Sequence, residues 1–411
     1  MLCQFIFKNF KSYRDETVFD LQATSAKEHF DSLLVSENNK TFLPVSVIYG
    51  PNAGGKSGAL EALGALISLV MHPIEYMKNE SNQFLFSMKR LMNLPFAFDK
   101  TSRDAPMEFT IFFHNKGFEY RYCLAVCEND VVSESLYRKY ISGKNPAKIY
   151  ERDADGIKLG SSINKKTINT NVNTNMPFIS FLAINYNLEI INSAVEWFSN
   201  CIFINDASTD MYRSIILIPE MKGLLLKALN DMDISISDYH IKYKANEKDG
   251  EEILDTIYLS RNIDGHEYYL DIALESGGTT KLFGLLPLIL ISIYEGRLLI
   301  IDELDASIHP KLLRYIIRLF TDITVNKNRA QLLFTSHDVT TMKSDVFRRD
   351  EIWFASKDDD GVSEIYSLHE IRNTDGKHIK AGAAFDKQYM DGRYGADPYL
   401  SEMLSLHWGD E

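Results

Sequence analysis

The stretch "PVSVIYGPNAGGKSGALEALGALISLVMH" (44–72) constrains the fold more than any other part of the chain. Its first residues are apolar and β-branched and read as a strand, while Leu60, Leu63, Ile67 and Val70 recur at helical spacing. Between them "GPNAGGKS" (50–57) satisfies G-x-x-x-x-G-K-[ST]. A glycine-rich turn from strand to helix exposes backbone N–H groups at the positive end of the helix dipole, which suits a chain of phosphates. On this reading Gly50, Asn52, Ala53, Gly54, Gly55, Lys56 and Ser57 form the nucleotide cradle. Lys56 reaches the β- and γ-phosphates, and the Ser57 hydroxyl ligates Mg²⁺.

Such a cradle needs a second apolar strand that ends in a carboxylate, and "RLLIIDELDASIHP" (297–310) supplies one. Leu298 to Ile301 read as a doubly buried strand, so Asp302 emerges at its C-terminal end, where ligands bind in parallel sheets. Asp302 is assigned to the Mg²⁺ shell and Glu303 to the activation of water. "QLLFTSHD" (331–338) repeats the design, and His337 at its end either senses the γ-phosphate or holds the attacking water. His309 precedes Pro310 and is read as closing the start of the next helix rather than as a catalytic group.

A third element, "LESGGTTKL" (274–282), sets a serine and two glycines in front of the long apolar run 282–294. If that run is a helix, its first turn is nearly bare and faces an anion. The run carries Pro287, ends at Glu295 and falls short of a membrane span, and no leader architecture opens the chain, so a cytoplasmic protein is expected. Cys3, Cys123, Cys127 and Cys201 show no disulfide or zinc spacing, and Cys123 and Cys127 share one strand face.

The opening residues alternate and read as two antiparallel strands around a turn near Lys11 to Asp15, and 94–140 reads as an antiparallel sheet. From 141 to 177 the composition shifts to Lys, Asn, Gly and Thr, an exposed mobile stretch, and 178–242 reads as an inserted helical lobe. The expected division is therefore 1–140, 141–242 and 243–411. The net charge of −13 argues against wholesale coating of nucleic acid. Residues 136–168 still carry eight Lys or Arg against three Asp or Glu, which leaves a DNA contact open.

The ordered set "GPNAGGKS", "LESGG", "LLIIDE", "LDASIHP" and "TSHD" resembles the ABC-type ATPase head shared by RecF, SMC and OLD-like proteins. The start "NFKSY" and the ending "RRDEIWF" then "YMDGRYGADPYL" resemble the abortive-infection and antiphage-defence ATPases of the RloA, AbiL and PARIS AriA type. The resemblance implies an α/β P-loop head, with a mixed central sheet, an antiparallel sheet and an inserted helical lobe, that hydrolyses ATP with Mg²⁺. It also implies that Ser276, Gly277 and Gly278 contact the γ-phosphate held by a second copy, with Asp305 at that interface, in a homodimer or higher homo-oligomer. Gly58 stands where relatives commonly carry a polar residue, and no glutamine follows Gly278 as in transporters.

The function expected from this resemblance is a sensor ATPase of a defence system. It would respond to a phage-encoded trigger and control a separate effector, a nuclease or toxin, because no Toprim-type acidic cluster follows His337. A RecF-like DNA repair ATPase is the alternative. A transporter motor is disfavoured by the long insertion between Ser57 and Ser276.

Overall fold

The computed structural model describes residues 1–73, 94–204, 212–245, 252–373 and 375–396. Strands β1 (Leu2–Lys8) and β2 (Thr17–Asp20) open the chain, followed by a short ribbon of β3 (Leu34–Val35) and β4 (Thr41–Phe42) and then by β5 (Val45–Tyr49). Next come β6 (Met107–Asn115), β7 (Phe118–Cys127), β8 (Asp130–Tyr140), β9 (Ala147–Asp153) and β10 (Gly156–Leu159). The later strands are β11 (Cys201–Ile204), β12 (Asp238–Ala245), β13 (Glu252–Ile263), β14 (His266–Asp271), β15 (Leu298–Ile301), β16 (Gln331–Thr335), β17 (Ile352–Lys357) and β18 (Ser363–Ser367). The helices are α1 (Lys56–Met71), α2 (Phe178–Asn185), α3 (Glu189–Ser199), α4 (Pro219–Asp231), α5 (Gly277–Glu295), α6 (Pro310–Thr321) and α7 (Phe385–Met390), with single helical turns at Lys100–Arg103 and Tyr212–Ile215.

Two sheets carry the architecture. The central one has the order β11-β15-β16-β5-β17-β18 and is parallel apart from β18. The other is antiparallel, β10-β9-β8-β7-β6-β1-β2. Every residue of β5, β15 and β16 is buried, as a sheet covered on both faces requires. Alternation then sorts the side chains: Ile48, Leu298, Ile300 and Leu333 join one core with α1, α2, α3 and the antiparallel sheet. Val45, Val47, Leu299, Ile301, Leu332 and Phe334 join the other, with α4, α5, α6 and α7. A mixed central sheet and an antiparallel sheet are thus both present, as expected.

Two expectations change. Part of the stretch read as exposed loop is the hairpin β9–β10, which extends the antiparallel sheet; Ile149, Tyr150 and Arg152 are buried in it. Its Asp-Ala-Asp-Gly turn and alternating residues were outweighed by the Lys- and Asn-rich surroundings. Nor are 178–204 a separate lobe. Phe178, Ile179, Ile191, Trp197 and Phe198 pack in the core of α1, and β11 is an edge strand of the central sheet beside β15.

Cys123 and Cys127 are half-buried on β7, as expected. One described helix, α5, is long and apolar enough to cross a membrane, yet Leu282, Phe283, Leu286, Ile289 and Ser292 are among its residues buried in the protein core. Of the terminal "YMDGRYGADPYL", residues 397–400 lie outside the described residues.

Candidate functional site

Sheet register builds the site. Ile301 stands opposite Phe334 and Thr335 opposite Ile48, so Asp302 and Thr335 leave the sheet level with Ile48, two residues before Gly50. At that end Gly50 adopts φ +147° and Gly55 φ +115°, conformations that side chains rarely permit. Both are also pinned from outside the loop. A Cβ on Gly50 would stand 2.2 Å from the Ala355 carbonyl oxygen, and one on Gly55 would stand 2.7 Å from Ser363 Oγ and 2.9 Å from the Tyr13 hydroxyl.

Helix α1 starts at Lys56 with no side-chain cap, so its first N–H groups are left for a ligand. The Lys56 ammonium is buried and donates to the carbonyls of Gly50 and Pro51, both at 3.0 Å. Burial lowers its pKa, while Asp302, Glu303 and Asp305 oppose that by favouring the charged form. The sequence-predicted lysine and acids therefore do share one electrostatic site.

Beside it, the fully buried Thr335 joins the two carboxylate residues. Its hydroxyl donates to Asp302 Oδ1 at 2.6 Å and accepts the Glu303 N–H at 2.7 Å. Glu303 itself is exposed, and its Oε1 lies 4.0 Å from His337 Nε2. The His337 backbone N–H donates to Asp305 Oδ2 at 3.1 Å, and Asp305 Oδ1, shielded from solvent, has no partner among the described residues. Glu303, His337 and Asp305 thus stand together.

Mg²⁺ takes hard oxygen ligands and retains waters. Ser57 Oγ and Asp302 Oδ2 have no hydrogen-bond partner among the described residues, so the donor set fits that ion.

The Ser276 element begins α5 as expected. Ser276 Oγ caps the Thr279 N–H at 3.2 Å and meets Thr279 Oγ1 at 2.9 Å. Ser276 and Gly277 are exposed. A Cβ on Gly277 would meet nothing within 4 Å, and one on Gly278 would stand 3.0 Å from the Ser307 carbonyl of the same chain. None of the hydrogen bonds among the described residues ties Ser276–Gly278 to Gly50–Ser57.

His309 Nδ1 accepts the Lys311 N–H at 3.2 Å, with Pro310 in the first turn of α6; it closes that helix as the sequence indicates. Lys11 pairs with Glu61 and Arg14 with Asp15.

Three contributors escaped the sequence reading. Tyr13, buried, donates its hydroxyl to the Gly55 carbonyl at 2.9 Å, and its ring lies 3.4 Å from where a Gly58 Cβ would be. That packing leaves little room for a long side chain at Gly58. Thr335 is the second. The third is Lys281, whose ammonium donates to the Glu303 carbonyl at 2.8 Å. Only Thr335 had a local signal, a hydroxyl at the very end of an apolar strand.

Comparison with known proteins follows the same direction. None of the curated proteins matches the chain. Among solved structures it is similar to an Smc head bound to the C-winged helix domain of ScpA, at 15% identity over 89% of this chain and 97% of that one, TM-score 0.46. It is also similar to the SMC head domain from Thermotoga maritima, at 14% identity over 89% and 98%, TM-score 0.41. A third is the Smc head domain with a coiled coil and joint from Pyrococcus yayanosii, at 11% identity over 91% and 98%, TM-score 0.43. The model of one sequence family matches residues 45–343, from the strand before the cradle to just past His337. The chain therefore belongs to the family described as "AAA domain, putative AbiEii toxin, Type IV TA system".

Proposed function

We propose that the chain binds ATP with Mg²⁺ on Gly50–Ser57 and hydrolyses it to ADP and phosphate. The observation that carries this reading is the convergence of Lys56, Asp302, Glu303 and His337 on one end of a parallel sheet. Lys56 and the free amides of α1 hold the phosphate chain. Ser57 and Asp302 would hold the metal, which when bound supplies charge neutralisation on the phosphates. Glu303 takes the proton of the attacking water, with His337 close enough to share its orientation.

We further propose that two copies close around ATP, each presenting Ser276–Gly278 to the triphosphate of its mate. Support comes from the exposed start of α5 and from the lack, among the described residues, of a hydrogen bond between it and its own cradle. The wider role proposed is that of a sensor and regulatory scaffold in antiphage defence, controlling a separate effector; the toxin–antitoxin association in the family description supports it.

The test is a three-variant series. Lys56→Ala should lose ATP binding or hydrolysis. Glu303→Gln should keep ATP and accumulate dimers, and Ser276→Arg should bind ATP but stay monomeric by light scattering. Full turnover in Glu303→Gln, or an unchanged ATP-dependent dimer in Ser276→Arg, would remove the corresponding assignment.

A further inference from the structure

Glu303 sits in a left-handed backbone conformation, φ +51°. For a residue with a side chain this is unfavourable by roughly 1–2 kcal/mol and persists only where the surroundings over-determine it. Two side chains do so, one on each side of the residue. On the N-terminal side the Glu303 N–H donates to Thr335 Oγ1 at 2.7 Å. That hydroxyl has a single proton, which goes to Asp302 Oδ1 at 2.6 Å, so the direction of both bonds is fixed. On the other side the Glu303 carbonyl accepts from Lys281 Nζ at 2.8 Å.

The two clamps differ in origin. Thr335 is fully buried at the end of β16 and belongs to the rigid sheet. Lys281 belongs to α5, the helix that opens with Ser276, Gly277 and Gly278. The same helix touches the 303–307 segment a second time, where the Cβ position of Gly278 stands 3.0 Å from the Ser307 carbonyl.

We propose that Thr335 and Lys281 are positioning residues for Glu303. They hold its peptide from both sides so that the carboxylate stays aimed beside His337, and Lys281 ties that aim to the helix begun by Ser276. The inference rests on the proposed role of Glu303 in hydrolysis. Neither side chain touches nucleotide in this scheme, so both act on the rate of the chemical step through Glu303, and Thr335 alone also orients the metal ligand Asp302.

The experiment measures kcat and KM for ATP on the full chain. The variants are Thr335→Val, which keeps the shape and removes the hydroxyl, Thr335→Ser, which restores it, Lys281→Met, which keeps the aliphatic stem, and Glu303→Gln as comparator. Thr335→Val and Lys281→Met should each lower kcat by about 10- to 100-fold, and Lys281→Met, which leaves Asp302 untouched, should keep KM within about threefold of the parent. Thr335→Ser should recover most of the rate. Lys281→Met should also keep the parent's melting temperature, which separates loss of aim from loss of fold.

Four results would overturn the proposal: kcat within twofold of the parent in Thr335→Val or Lys281→Met while Glu303→Gln is inactive; a raised KM at unchanged kcat; no recovery in Thr335→Ser; or a loss of rate in Lys281→Met matched by a loss of melting temperature. If Glu303→Gln itself turns over ATP like the parent, it is the underlying hydrolytic reading that fails.

Discussion

Gly50→Ala is a small change with a large expected effect, and its size can be worked from the structure. The new methyl would stand 2.2 Å from the Ala355 carbonyl oxygen, where ordinary contact starts at 3.4 Å, so something must move by about 1.2 Å. Ala355 resists: it lies in β17, paired with β18 at Ile365, while its neighbour Phe354 pairs with Tyr49 of β5. The cradle must therefore yield. Alanine at φ +147° adds strain of about 1–3 kcal/mol. The useful range of an N–H···O bond is only about 0.5 Å wide, so a shift of this size takes the loop amides out of reach of phosphate. Together these effects should weaken ATP binding by at least about 100-fold.

Gly58→Ala is the control. Its Cβ would sit 3.4 Å from the Tyr13 ring, an ordinary contact, and alanine favours a helix by up to about 1 kcal/mol. Titration with a fluorescent ATP analogue, with thermal unfolding alongside, reads both variants. Affinity of Gly50→Ala within threefold of the parent would refute the argument that the Ala355 carbonyl fixes the cradle.

Glu351 is buried, and burial pushes its carboxyl up to about 8, against the pull of the Arg348 N–H. A raised carboxyl contributes stability that is full below its unfolded value near 4.5 and is lost as pH rises through about 8. Unfolding free energy should thus fall by up to about 1.4 kcal/mol per pH unit across that window, and Glu351→Gln should flatten the curve; denaturant titrations at pH 5, 7 and 9 that show parallel curves would contradict this. DNA affinity should respond weakly to salt. In the basic stretch Lys139, Lys148 and Lys158 are paired, Arg138 stacks over the Phe118 ring and Arg152 is buried, leaving Lys144, Lys165 and Lys166 without a described partner. A plot of log K against log salt steeper than about −3 would reveal a larger basic surface and favour the DNA repair reading. Leu274, 73% exposed just before Ser276, should be covered in an ATP-bound dimer. Leu274→Asp should then raise the dimer dissociation constant about 10- to 100-fold by sedimentation in the Glu303→Gln background, and an unchanged value would place Leu274 outside the interface.

What was legible in the sequence was what neighbours in sequence decide. The strand before Gly50, the strand before Asp302 and the helix after Pro310 each announce themselves through an unbroken apolar run or a capping pair. The three contributors that escaped act across long separations. Tyr13 reaches Gly55 from the turn after β1, Thr335 meets Asp302 only because β15 and β16 pair in one register, and Lys281 finds Glu303 across two elements. Arg348 shows the same limit. In "RRDEIWF" Arg348 is fully buried, bonded to Asp350 and to the carbonyls of Ala26 and Glu28, which lie more than 300 residues away in sequence. Strand β11 was missed for another reason: four residues, Cys201–Ile204, are too few to show a period.

The helix starts near the site separate into two kinds, and the difference bears on which anion goes where. Helix α6 is closed: Pro310 has no N–H to offer, and His309 takes the next free one. Helix α1 is open, with no capping side chain and a buried lysine beside it. Helix α5 is half open. Ser276 satisfies Thr279, while the amides of Gly277 and Gly278 have no partner among the described residues. Two of the three starts thus hold unspent donors and a positive dipole end, the requirement for a phosphate chain gripped from two directions. Were both to serve one nucleotide within a single chain, Ser276 would have to turn toward the Lys56 loop. Instead its hydroxyl is engaged with Thr279 and its helix rests on Ser307 and Glu303. Moving α5 would break the clamp on Glu303, which supports the proposal that the triphosphate meeting Ser276 belongs to a second copy.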